Sequence, residues 1–250
     1  MFLLGEIFLK RLFSLLVVGL FSIQNLFAFS EHTHRELTDI ALNKCAVFRN
    51  SKIDNRLKSI ILDSCSEGKD IDSSHFCGLI DNPLNLERIG GFDMGLEYQN
   101  YRERYPESVL VYLFEQYREA INYWKNRCYK GSMEHLGRAI RYMQDICCVV
   151  NPIGVSQSQI DIYNRVIDRE LFSGENKLKL INKLRDRTGD RTPLCGDVRN
   201  FAINYFKLGL IMSYKSDSLI KYDLLHPIFD STCCLINSFC YECKIDVTWN

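Results

Sequence analysis

Between Pro106 and Gly131 the segment PESVLVYLFEQYREAINYWKNRCYKG carries Val109, Leu110, Leu113, Tyr117, Ala120, Ile121 and Trp124 at a 3.6-residue period. A long helix with such a stripe can bury it only against other apolar faces, so the chain is constrained to packed helices. Pro106 suits a first helical turn, and Gly131 suits a C-terminal stop. A second stripe of Leu136, Ala139, Ile140, Met143 and Cys147 predicts another helix from Ser132 to about Val150. Helical patterns recur near 34–49, 53–65, 158–171, 174–186, 196–214 and 226–240, whereas alternating strand patterns are scarce. The stretch 66–105, with Gly90-Gly91, reads as loop, and no repeat, low-complexity tract or domain boundary stands out. The expected fold class is all-α, a single multi-helix domain over residues 29–250.

Composition narrows the function classes. Hydrophobic residues at 46% and charged ones at 25% are the balance of a globular chain. Lys+Arg and Asp+Glu both number 31, so no bulk charge draws the protein to nucleic acid. Residues 1–28 differ from the rest. Lys10 and Arg11 precede the apolar run LFSLLVVGLF, Gln24 and Asn25 interrupt its continuation, and Ala28 is a small residue at a cleavage point. This is the layout of a signal peptide, and the run is short for a membrane span. An uncleaved anchor is the alternative. The expected destination is secreted or periplasmic, with no transmembrane segment in the mature chain. Eleven cysteines fit an oxidising compartment. The tail C-Y-E-C, Cys240 to Cys243, lacks a second matching pair, so disulfide staples are expected there over zinc or redox chemistry.

Five histidines are available for chemistry: His32, His34, His75, His135 and His226. His135 reads as a helix flank, and His226, just before Pro227, as the start of a helix. TGDRTPLCGD (188–197) reads as a loop, and no nucleophile elbow, phosphate-binding glycine loop or H-E-x-x-H pair occurs. The others gain meaning from their order along the chain. A cut after Ala28 gives a mature start FSEHTHRELTDIALNKC, followed by SEGKDIDSSHFCGLIDNP and, after a long helix, GSMEHLGRAIRYMQDICCVVNP.

This order resembles the zinc-dependent phospholipase C and fungal single-strand nuclease superfamily. Members are secreted, all-helical phosphate-ester hydrolases that hold three zinc ions between helices. One of their ligands is the backbone of the first mature residue, here Phe29, where the family usually has Trp. A following segment H-x-x-[IL]-x-x-x-A-[IL] is matched by His34 through Leu42, and His34 is the sixth residue counted from Phe29. The family then has an Asp and a His-Phe pair before Asp/Asn-Pro, which His75-Phe76 and Asp81-Asn82-Pro83 resemble, with extra residues between them. Asp70 fits the local pattern of that Asp, and Asp63 fits its usual distance to the His; Asp72 lies nearby. With Asp70 in that place, the resemblance makes it both a metal ligand and the catalytic carboxylate.

The family's form L-G-x-x-x-H-Y-x-x-D-x-x-x-P-x-H is met by Leu136-Gly137, Tyr142 and Asp145 in register. Arg141 stands in the first His position, Val149 in that of Pro and Asn151 in that of the second His. A downstream H-x-x-[YF]-[ED] corresponds to Ile160 through Asn164, with neither ligand present. The resemblance thus implies metal ligands at Phe29, His34, Asp70, His75 and Asp145, and one zinc site sooner than three. Zinc in such a site lowers the pKa of bound water and stabilises charge on a phosphoryl group. Arg141 cannot ligate zinc, but its fixed charge can replace part of the metal's and bind a phosphate oxygen. As an exposed i, i+4 pair with Asp145 it would contribute only about 0.2–0.5 kcal/mol. Three functions follow: an exported metal-dependent phosphoesterase acting on a phospholipid head group or nucleic acid; a pseudoenzyme binding a phosphorylated ligand or partner protein; or an unrelated secreted helical domain stapled by disulfides. The first two require His34, His75 and Asp145 to meet in one cleft with Arg141 facing it.

Overall fold

The computed structural model describes residues 31–49, 53–66, 109–147 and 225–245, with a few single helical residues between 174 and 202. The leader (1–28), Phe29, Asp70, Asp72, His75, Asn151, Ile160, Asn164 and the helix expected over 158–171 lie outside the described residues, as does nearly all of the two helices expected between 174 and 214. What is described is helical, with no strand among these residues. The elements are α1 (Glu31–Lys44), α2 (Ala46–Arg49), α3 (Asn55–Ser66), α4 (Val109–Lys125), α5 (Tyr129–Cys147) and α6 (Leu225–Glu242). Among them no helix is long and apolar enough to cross a membrane.

α5 is the hub, packed against α3, α4, α6 and α1, while α1 also packs on α3 and α6. The α4 stripe is buried as its period predicts, from Val109 and Leu110 through Leu113 and Tyr117 to Ala120 and Ile121. Trp124 is partly buried, edge-on to Phe239 of α6 at 5.8 Å and tilted against Tyr129 at 4.7 Å. The α5 stripe of Leu136, Ala139, Ile140 and Met143 is fully inside. Gly137 lets α3 lie directly on α5, since a Cβ there would stand 2.5 Å from the Ile61 carbonyl oxygen and 2.9 Å from Ser64 Cβ.

The helix ends depart from expectation, with identifiable reasons. The helix expected over 34–49 breaks at Cys45, giving α1 and the short α2. Asp54 caps α3, its Oδ1 accepting from the Arg56 amide at 2.9 Å. α4 stops at Lys125 instead of running to Gly131. Arg127 takes a left-handed φ of 62°, the Arg127 amide donates to the Trp124 carbonyl and the Cys128 amide to the Tyr123 carbonyl. These two bonds satisfy the helix's last carbonyls. Gly131 instead sits in the first turn of α5. α6 ends in the same way, at Lys244 with φ 50°.

Candidate functional site

The polar residues of α1 and α5 meet inside the bundle. His34 lies on the buried face of α1 with Thr33, Leu37, Thr38 and Ala41. On α5 the run from Arg141 to Ile146 is buried throughout, so this part of the helix has a second inward face opposite the apolar stripe. Asp145 is on that face. Its Oδ1 is 3.2 Å from His34 Nε2 and its Oδ2 is 3.9 Å from Arg141 Nε. All three side chains are below a tenth exposed. Arg141 Nη1 donates to the Ser66 carbonyl at the end of α3, at 3.0 Å. The guanidinium thus ties α3 to α5 beside the His34–Asp145 pair.

Gln144 completes the cluster. His34 Nδ1 is 2.7 Å from Gln144 Oε1, across 110 residues of sequence. Gln144 Nε2 donates to Thr38 Oγ1 of α1 at 3.0 Å and to Thr232 Oγ1 of α6 at 3.3 Å. Thr38 Oγ1 in turn lies 3.0 Å from Cys65 Sγ, and the Cys65 thiol donates to the His34 carbonyl at 3.5 Å. Burial pushes the Cys65 thiol up from 9.0 to about 12, so it is a neutral donor and not a nucleophile. Burial likewise raises the Tyr142 phenol, with Asp145 acting in the same direction.

The other expected positions fall elsewhere. Asp63, one of the alternatives for the early carboxylate, is half-exposed on α3 and spent on Arg35, with 2.6 Å between Oδ1 and Nη1. His135 is on α5, as a helix-flank reading requires, 2.8 Å from Gln116 Oε1 and stacked on Tyr123. Its pKa is lowered by burial and by the Arg138 charge. His226 is near the start of α6 and pairs within that helix with Asp230 at 2.9 Å. Gln144 was not among the sequence candidates. Its signal is weak: a polar residue beside Asp145 in a stretch that periodicity alone assigns to a helix surface.

The His34–Asp145 spacing suits one metal ion. Two ligands on a tetrahedral zinc, each about 2.0–2.2 Å from it, lie about 3.3–3.4 Å apart, close to the 3.2 Å between Nε2 and Oδ1. Among the described residues no group of three or more His, Cys, Asp or Glu side chains could hold a metal. His34 and Asp145 are therefore the two described members of the expected set. Comparison of the chain with family models, curated proteins and solved structures found no match.

Proposed function

We propose that the chain is an exported, metal-dependent phosphate-ester-binding protein of the phospholipase C/nuclease type, built around one zinc site instead of three. The observation that carries this reading is the buried convergence of His34 Nε2 and Asp145 Oδ1 at 3.2 Å, from helices far apart in sequence. In this reading His34 and Asp145 hold the ion together with the Phe29 backbone. Zinc there supplies a Lewis acid and an activated water for attack on a phosphodiester. His34 and Asp145 are both buried, so an ion between them would be shielded from bulk water. Arg141 faces the second oxygen of Asp145 through Nε at 3.9 Å and donates from Nη1 to the Ser66 carbonyl. Asp70 and His75 are the further carboxylate and imidazole that the resemblance assigns to such a site. The even charge balance favours a phospholipid head group or short phosphodiester over long nucleic acid.

One observation favours a second reading, ligand binding without turnover. Arg141 occupies a position where the family has a zinc-binding His, and it is buried against Asp145 and the Ser66 carbonyl. A fixed cation there excludes a second metal by charge and volume.

The deciding experiment is elemental analysis of the mature protein, exported by its own leader and purified without chelators, followed by assay on a chromogenic phosphodiester. One zinc per chain, lost in His34→Ala, is expected. Turnover abolished by that substitution makes the protein an enzyme; zinc without turnover favours the binding reading. A zinc-free chain that takes up none on titration would sink the metal-dependent reading and leave a binding or structural role.

A further inference from the structure

We infer that Gln144 is a positioning residue, which fixes the hydrogen of the His34 ring on Nδ1 and thereby aims a bare Nε2 at Asp145. The hydrogen-bond donors around Gln144 fix this orientation, beginning at α6. The Thr232 hydroxyl gives its hydrogen to the Ile228 carbonyl at 2.8 Å, so Thr232 Oγ1 can only accept from Gln144. The atom of Gln144 that faces Thr232 is therefore its NH2 group. On α1 the Cys65 thiol gives its hydrogen to the His34 carbonyl, so Thr38 donates to Cys65 Sγ and accepts the other hydrogen of Gln144 Nε2. Both Gln144 N–H bonds are then in use, and Oε1 is left toward His34 Nδ1 at 2.7 Å. An amide oxygen only accepts, so Nδ1 must carry a hydrogen. The opposite tautomer would set two lone pairs against each other at that distance in a buried site.

The consequence lies on the far side of the ring. With its hydrogen on Nδ1, a neutral His34 presents a lone pair to Asp145 Oδ1, which also only accepts, at 3.2 Å. Two acceptors so close in the interior need a cation between them, either a second ring proton or a metal ion. A hydrogen bond to one ring nitrogen selects the other as metal ligand. Gln144 thus links α1, α5 and α6 in a frame that prepares Nε2 for a cation, and Thr38 and Thr232 hold Gln144 in its orientation. Zinc as the occupant rests on the function proposed above; the tautomer does not.

The test reads the His34 ring nitrogens by 15N NMR in the full mature chain, with and without added zinc, beside zinc affinity measured against a competing chelator. Expected are a hydrogen on Nδ1 in the wild type under both conditions, and zinc binding weakened about 10–100-fold in Gln144→Leu. Gln144→Glu keeps an acceptor at the same reach and should keep the wild-type ring pattern. A wild-type ring with Nδ1 bare would overturn the inference, as would Gln144→Leu with unchanged affinity and ring signals. If Gln144→Leu does not fold, the wild-type and Gln144→Glu spectra decide. If the wild type takes up no zinc, the metal reading fails on its own. A hydrogen on Nδ1 then still supports the positioning role, and a bare Nδ1 refutes it.

Discussion

Asp145 divides its two oxygens between a ring and a guanidinium, and burial changes what that pairing is worth. On an open helix surface the Arg141–Asp145 spacing would contribute a few tenths of a kcal/mol, and less in this acid-last order. Here the Asp145 side chain is 8% exposed and the Arg141 side chain 4%. Removing one member of a buried pair leaves the other charge uncompensated, at about 3–5 kcal/mol. Arg141→Met is therefore expected to lower stability by that amount, seen as a reduced urea midpoint at unchanged slope. A loss under about 1 kcal/mol would mean that the pair behaves as an exposed one. Cys65 gives a prediction in pH. Its thiol rises from 9.0 to about 12, chiefly through burial, so the folded state holds its proton where the unfolded state releases it. The resulting stability is complete below 9.0 and is lost as pH rises toward about 12. Urea midpoints across that window should fall less steeply in Cys65→Ala than in the wild type; parallel slopes would remove Cys65 from the account. Helix spacing paired Arg141 with Asp145, a family resemblance added His34, and Asp145 now meets both side chains. The sequence did not reveal Gln144, because an amide has no pattern of its own until its partners are assembled.

Helix stripes are local, and the buried faces of α4 and α5 match the periods from which they were predicted. Helix ends depend on which carbonyls are left over. Gly131 is attractive as a stop because glycine adopts positive φ freely, yet the stop forms at Arg127, where two amide bonds cover the final turn. The two helical glycines of α5 then make a matched test. Alanine in place of glycine in an open helix gains up to about 1 kcal/mol. At Gly137 the added Cβ meets backbone, 2.5 Å from the Ile61 oxygen, and helix α3 must shift. Overpacking of this kind costs about 1–3 kcal/mol, so Gly137→Ala is expected to destabilise. At Gly131 the nearest atoms belong to the ring of Tyr123, an exposed side chain that can turn aside, and Gly131→Ala should be neutral or slightly stabilising. Thermal unfolding of the two variants side by side checks this; equal losses would mean that the α3–α5 approach is not the limiting contact.

At the scale of the whole molecule, the corner after α1 meets the far end of the chain. Cys240 of α6 lies within side-chain hydrogen-bond reach of Cys45, and both side chains are buried in the core with Cys233 and Cys234. In an exported chain these two thiols are the pair we expect to be joined, giving two electrons and two protons to a disulfide carrier of that compartment. Closing so long a loop stabilises by about 2–5 kcal/mol. Peptide mapping of the unreduced exported protein should find Cys45 linked to Cys240; separate alkylation of both would exclude it. The chain's local pattern was enough for the helical class and for the inward stripes of α4 and α5. Those properties depend on neighbours a few positions apart. The second buried face of α5, the meeting of His34 with Asp145, the use of Arg141 on the Ser66 carbonyl and the approach of Cys45 to Cys240 depend on helices that are distant in sequence. Periodicity reports that a polar face exists; only packing against α1, α3 and α6 turns that face inward and makes its charges strong.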